Sequence, residues 1–136
     1  MSAPDARFGT WAIHYQESWR DDAANPHFSK ALRVAFLAYG NHRANGHANF
    51  AQQEIAKTLG KVDEHGTFVP ADRRAVHRAI QQAVDWGLLA EGSRALCLIV
   101  PKHRVAGGPG EDEEPCRRHP EHSSTGRRGA LRVVQG

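Results

Sequence analysis

The stretch ADRRAVHRAIQQAVDWGLLAEGSRALCLIV, residues 71–100, carries two periodicities in succession. In its first half Val76, Ala79, Ile80, Ala83 and Val84 recur at helical spacing and form one apolar stripe, as in an amphipathic helix laid on a core. Asp72 is placed to cap that helix and Gly87 to end it, so the spacing predicts a helix over 72–86. Arg73, Arg74, His77, Arg78, Gln81 and Gln82 fall mostly off the stripe. In the second half Leu88-Leu89-Ala90 and Arg94–Val100 read as two strands. Glu91-Gly92-Ser93 joins them tightly enough for a hairpin over 88–100, and Pro101 stops the second strand.

Upstream, Phe28, Leu32, Ala35, Phe36 and Tyr39 lie on one face of a second amphipathic helix, expected from Ser29 as N-cap to about Ala44. Asn45-Gly46 marks a turn. Ala51, Ile55, Ala56 and Leu59 define a short helix that Gly60 closes, and Lys61–Pro70 reads as a polar connection. Nearer the N-terminus, Phe8, Trp11, Ala12, Tyr15 and Trp19 form an aromatic stripe at helical spacing, although Trp11, Ile13 and Tyr15 also alternate as in a strand. That stripe is extra core or a contact with a second copy of the chain, a homodimer, because large aromatics are enriched at interfaces. From Val105 onward Gly, Pro, Ser and blocks of like charge prevail, too little apolar surface to offset ordering. The reading is therefore an N-terminal aromatic extension over 1–26, an ordered domain over 27–105 and a disordered charged tail over 106–136.

With 136 residues, 40% of them hydrophobic, the chain has room for one ordinary domain. No apolar run, Ala95–Val100 included, approaches the roughly 20 residues that span a bilayer, so no membrane partner is expected. Met1–Asp5 lacks the basic and apolar regions of a signal peptide. Two cysteines, Cys97 and Cys116, do not make a disulfide scaffold. The expected location is cytoplasmic, with reduced thiols. The net charge of +3 is local: residues 71–110 hold six Lys/Arg against three Asp/Glu, whereas 1–70 and 111–136 are each balanced. Such an excess on one helix and its surroundings points to a polyanion-binding face.

The order helix, short helix, basic helix, hairpin carries a resemblance. AQQEIAKTLG (Ala51–Gly60) is similar to the second helix of the winged helix-turn-helix family of bacterial and phage DNA-binding proteins. VHRAIQQAVDWGLLA (Val76–Ala90) resembles the end of that family's recognition helix running into its first wing strand, and RALCLIV (Arg94–Val100) the second. The resemblance covers roughly residues 28–104. One departure is the connection between the two helices, about ten residues from Lys61 to Ala71 where family members often have a short turn. The resemblance implies an α+β fold, mainly α with a small β-hairpin. It also implies sequence-specific binding of double-stranded DNA by a transcriptional regulator, with no enzyme activity and no cofactor. Phage or plasmid replication initiation and a protein-binding winged helix are the alternatives.

Physical chemistry selects the contacts. A helix fits the B-DNA major groove, Arg pairs bidentately with guanine, and Gln and His reach purine edges. Arg73, Arg74, His77, Arg78 and Gln81 supply that chemistry on the outer face of helix 72–86. Ser93 and Arg94 sit at the hairpin tip, and Lys102 and Arg104 follow it, where phosphate contacts are expected. The bland alternative has Arg73 and Arg78 solubilising the helix and pairing with Asp72 or Asp85. Cys116, His119 and His122, at intervals of three, could ligate zinc. A structural site needs four ligands, however, and Cys97 is expected inside the hairpin, so no metal is assigned. Asn41-His42 and His47-Ala48-Asn49 faintly suggest a His-Asn-His nuclease, without its paired histidine and ββα spacing. The acidic run Glu111–Glu114 reads as solvated, or as a competitor for the basic face.

Overall fold

Among the described residues four helices and four short strands follow in the order α1 (Gln16–Ala23), α2 (Lys30–Asn41), β1 (His47–Asn49), α3 (Glu54–Thr58), β2 (Lys61–Val62), β3 (Phe68–Val69), α4 (Arg73–Asp85) and β4 (Cys97–Ile99). The computed structural model describes residues 12–119. Within them the strands form two antiparallel pairs, β1 with β4 and β2 with β3, so the architecture is α+β.

The central element is α2. The Ser29 hydroxyl accepts the Leu32 amide at 3.2 Å, the N-cap expected from the sequence. Val34, Ala35, Leu37 and Ala38 are buried, and they meet Val76, Ile80 and Ala83 of α4 together with Ile55, Leu59, Leu89 and Leu98 in one core. Phe36 and Tyr39, on the stripe read from the sequence, are half-buried instead, and Trp19 of α1 covers them with ring centroids 5.4 Å away in both cases. The small residues Ala31, Ala35 and Ala38 let other elements approach α2 closely, so its buried face is wider than the aromatic stripe suggests. Arg33 is buried too. Its guanidinium donates to the carbonyls of Ala23 at 2.8 Å and Thr58 at 2.7 Å, the last residues of α1 and α3.

Helix α1 begins at Gln16, later than the aromatic periodicity implies, because residues 12–15 are not helical and Tyr15 is 81% exposed. Of the stripe's described residues Trp19 packs on the body, whereas Ala12 and Tyr15 are exposed; Phe8 and Trp11 lie outside the described residues. Tertiary bonds set the start of the helix. The Gln16 side-chain Nε2 donates to the Tyr39 and His42 carbonyls, and the Arg20 guanidinium donates to that of Gly40.

Between α3 and α4 the chain is a hairpin rather than a plain polar connection. Lys61 pairs with Val69 and Val62 with Phe68. The Asp63 carboxylate accepts the amides of His65 and Thr67 at 2.8 and 2.9 Å, and Gly66 turns the chain at φ 79°. The two-residue strands are too short for an alternation to show in the sequence. Helix α4 matches the helix expected over 72–86. Asp72 caps the Ala75 amide at 2.7 Å. At the other end Gly87, at φ 76°, closes a Schellman motif in which Leu88 and Gly87 donate to the Ala83 and Val84 carbonyls.

The pairing of the last strand corrects the expected hairpin over 88–100. β4 pairs with β1, His47 opposite Ile99 and Asn49 opposite Cys97. Residues 88–90 form no strand and touch β4 through one bond, from the Ala90 amide to the Ile99 carbonyl at 2.8 Å. Apart from Asn49, which is exposed, the β1–β4 pair is buried on both faces. Ala48 and Leu98 point into the helical core; His47, Cys97 and Ile99 point the other way and are also buried.

The second face is covered by the segment read as tail, which is the main correction to the expected organisation. The Pro109 carbonyl accepts the Ala44 amide at 2.7 Å, the Glu114 carbonyl accepts the Asn45 side chain at 2.8 Å, and Cys116 and His119 are buried. Order therefore extends past 105 to at least 119. Residues 120–136 lie outside the described residues. Polar composition misled because the segment is held by hydrogen bonds, one ion pair and a cysteine–histidine cluster rather than by an apolar core.

Candidate functional site

Two constellations stand out, one on the outer face of α4 and one beneath the second face of the β1–β4 pair. On α4, Val76, Ala79, Ile80 and Ala83 are buried, which turns Arg73, Arg74, His77, Arg78 and Gln81 outward; all five are exposed. Among the described residues no ion pair engages Arg73, Arg74 or Arg78. The Asp72 carboxylate is occupied in capping the helix, which removes one of the partners that the solubilising reading offered.

The other candidate contacts are placed less freely. The Ser93 hydroxyl donates to the Ala90 carbonyl at 2.9 Å and accepts the Ile99 amide at 2.9 Å, so it fixes the turn between residues 90 and 99. Arg94 Nε lies 3.0 Å from His119 Nε2. Arg104 donates to the Gly87 carbonyl at 2.7 Å, at the C-terminal end of α4, where a cation complements the helix dipole. Lys102 is exposed. The structure thus brings the five α4 residues together on one face and gives Ser93, Arg94 and Arg104 bonds of their own. Of the acidic run, Glu114 pairs bidentately with Arg43 at 2.7 and 3.0 Å. That hydrogen-bonded guanidinium holds the carboxyl below its ordinary range.

The second constellation joins His47 of β1, Cys97 of β4, and Cys116 and His119 of the C-terminal segment. All four are buried, and their donor atoms lie within 4.8 Å of one another. The sulfurs of Cys97 and Cys116 are 3.7 Å apart and unbonded. Cys97 Sγ is 3.4 Å from His47 Nδ1, and Cys116 Sγ is 3.9 Å from His119 Nδ1. Burial pushes the Cys97 thiol well above its ordinary range, and the neighbouring Cys116 adds to the shift. His119 Nε2 lies 2.6 Å from the Gly92 carbonyl and 3.0 Å from Arg94 Nε. Those contacts require opposite tautomers. The shorter one fits a proton on Nε2 donated to Gly92, which leaves the Nδ1 lone pair facing Cys116.

Their spacing in the sequence links Cys116 and His119 but not Cys97, and His47 falls only within the faint nuclease-like pattern. His122, the third candidate ligand, lies outside the described residues. No signal in the sequence joins His47 to a residue 72 positions away; the fold does so, through the antiparallel register that sets His47 and Cys97 on one face. No family model, curated protein or solved structure matches the chain.

Proposed function

We propose that the protein binds double-stranded DNA sequence-specifically, as a winged helix-turn-helix transcriptional regulator that lays α4 in the major groove. The observation that carries this reading is the outward face of α4, where Arg73, Arg74 and Arg78 stand exposed beside His77 and Gln81 with no ion pair among the described residues. A salt-bridged solvated face would spend those charges locally; unpaired guanidiniums are available to guanine edges and phosphates. The element order supports the reading. α2, β1, α3, the β2–β3 hairpin and α4 follow in that order, and β4 returns to pair with β1. The turn at 91–94 takes the place of a wing tip, and its two candidate contacts are modified. Ser93 and Arg94 shape the turn and Arg104 is bonded to the Gly87 carbonyl, which leaves Arg73, Arg74, His77, Arg78, Gln81 and Lys102 as the contact set.

A titration of duplex DNA against salt tests the reading. Four cations, Arg73, Arg74, Arg78 and Lys102, imply a slope of log affinity on log salt of about −4 per protomer. Arg74→Ala should cost roughly 1–3 kcal/mol on the cognate duplex and little on a scrambled one, because a base contact is lost. Lys102→Ala should weaken both by similar factors, since a phosphate contact carries no sequence information. Affinity that is absent at low salt or flat with salt would remove the proposal. It would favour a protein-binding winged helix, which the exposed apolar side chains Val62, Phe68 and Val69 of the β2–β3 hairpin would suit.

A further inference from the structure

We propose that His47 Nδ1, Cys97 Sγ, Cys116 Sγ and His119 Nδ1 bind one Zn²⁺ in a closed structural site that fastens residues 106–119 to the β1–β4 pair and the turn at 91–94. The inference does not depend on DNA binding. Four donors from three separate segments converge, all from buried side chains. Such a set in a protein interior needs a reason, because buried polar side chains cost free energy unless they are satisfied together. Two thiolates and two imidazoles are the donor set of a Cys₂His₂ zinc site, and the two thiolates match the ion's charge.

The geometry agrees with the chemistry. Zn–S of about 2.3 Å and Zn–N of about 2.0 Å at tetrahedral angles place two sulfurs about 3.8 Å apart and a sulfur about 3.5 Å from a nitrogen. The corresponding separations are 3.7 Å for the sulfurs, and 3.4 and 3.9 Å for the two cysteine–histidine pairs. A disulfide fits less well, because it needs sulfurs at about 2.05 Å and leaves both histidines without a function. The surroundings of His119 are those of a ligand. With its proton on Nε2 the ring donates to the Gly92 carbonyl 2.6 Å away, the outer bond by which a metal-binding imidazole is usually oriented. Because the protein supplies all four donors from burial, no position is left for water or substrate, and the site is structural rather than catalytic.

Zinc would act as a clamp. His47 and Cys97 belong to the sheet, Cys116 and His119 to the segment that covers it, and His119 also holds the turn at Gly92. The test uses the full chain, expressed with zinc and dialysed exhaustively. About one equivalent of zinc per chain should remain, and both thiols should resist alkylation until a chelator is added. Replacement by Co²⁺ should give the intense visible bands of a tetrahedral thiolate complex. Cys116→Ser and His119→Ala should each lower bound zinc at least about fivefold. His119→Cys replaces one ligand by another, so it should keep the metal and shift the Co²⁺ bands as a third thiolate enters; mere packing at His119 predicts no such shift. If Cys116→Ser fails to fold, the wild-type and His119→Cys spectra decide. Three results would overturn the proposal: a chain that takes up no zinc when zinc is supplied, a mass two hydrogens short from a Cys97–Cys116 disulfide in fresh protein, or full zinc retention by both Cys116→Ser and His119→Ala.

Discussion

Arg33 is the residue on which two helix ends depend. Its guanidinium satisfies the final carbonyls of α1 and α3 while only 5% exposed, and burial lowers its pKa from the ordinary arginine value. Replacing it with Met fills the space but leaves the buried Ala23 carbonyl and the partly buried Thr58 carbonyl without this donor. Arg33→Met should therefore cost about 3 kcal/mol in urea unfolding, and Arg33→Lys less, since one ammonium retains charge but not the fork. A loss below about 0.5 kcal/mol would show that water replaces those bonds. His42 makes a second case at this scale. It is 5% exposed, and burial depresses its pKa below the ordinary 6.5 despite its contact with the Arg43 carbonyl. The unfolded chain then takes up that proton more readily than the folded one. The stabilisation is complete above about pH 6.5 and is lost as pH falls through the depressed folded value, with a slope of at most about 1.4 kcal/mol per pH unit. Stability against pH, compared between wild type and His42→Gln, isolates this effect, because protonation of the cysteine–histidine cluster is common to both. Parallel curves would remove it.

At the scale of elements, those with a local signal were legible. α2 and α4 each have a side-chain cap one residue before the helix and an apolar stripe along it, and both begin where their caps predict, although α2 ends at Asn41 rather than near Ala44. Asp72→Ala should accordingly cost about 1 kcal/mol. The β2–β3 hairpin was illegible, because two residues per strand carry no period. Yet Gly60 marks it: a Cβ there would lie 2.6 Å from the Val69 carbonyl oxygen and 2.9 Å from Pro70 Cα. Backbone, unlike a flexible side-chain tip, cannot step aside. Gly60→Ala should displace β3 from the end of α3 and cost on the order of 1–3 kcal/mol. Thermal unfolding beside Gly66→Ala gives the control, since Gly66 has nothing within 4 Å and risks only the strain of its φ of 79°, about 1 kcal/mol. Equal losses would mean that the close approach at Gly60 is relieved without effort.

For the whole molecule, what the sequence hid was long-range pairing. β1 and β4 are three residues each and lie about fifty positions apart, so neither announces its partner, and proximity alone points the apolar run Ala95–Val100 to its nearest neighbour, Leu88–Ala90. The consequence reached the C-terminal segment. Once β4 is placed beside β1, His47, Cys97 and Ile99 form a face that needs cover, and the chain between Pro109 and His119 provides it. Composition classed that segment with solvent because its contribution is not apolar area. It consists of the Arg43–Glu114 pair, two backbone carbonyls that accept from Ala44 and Asn45, and two cluster side chains. A direct comparison tests whether these matter to the fold. Chains ending at His119 and at Val105 differ only in that segment. Measured with a chelator present, so that metal makes no contribution, the chain ending at Val105 should be less stable by about 2 kcal/mol, on the order of 10 °C in Tm for a domain of this size. With zinc in place of chelator the gap should widen, because only the longer chain keeps Cys116 and His119. Equal melting temperatures under both conditions would mean that the segment rests on the sheet without stabilising it, and that the domain is complete at residue 105.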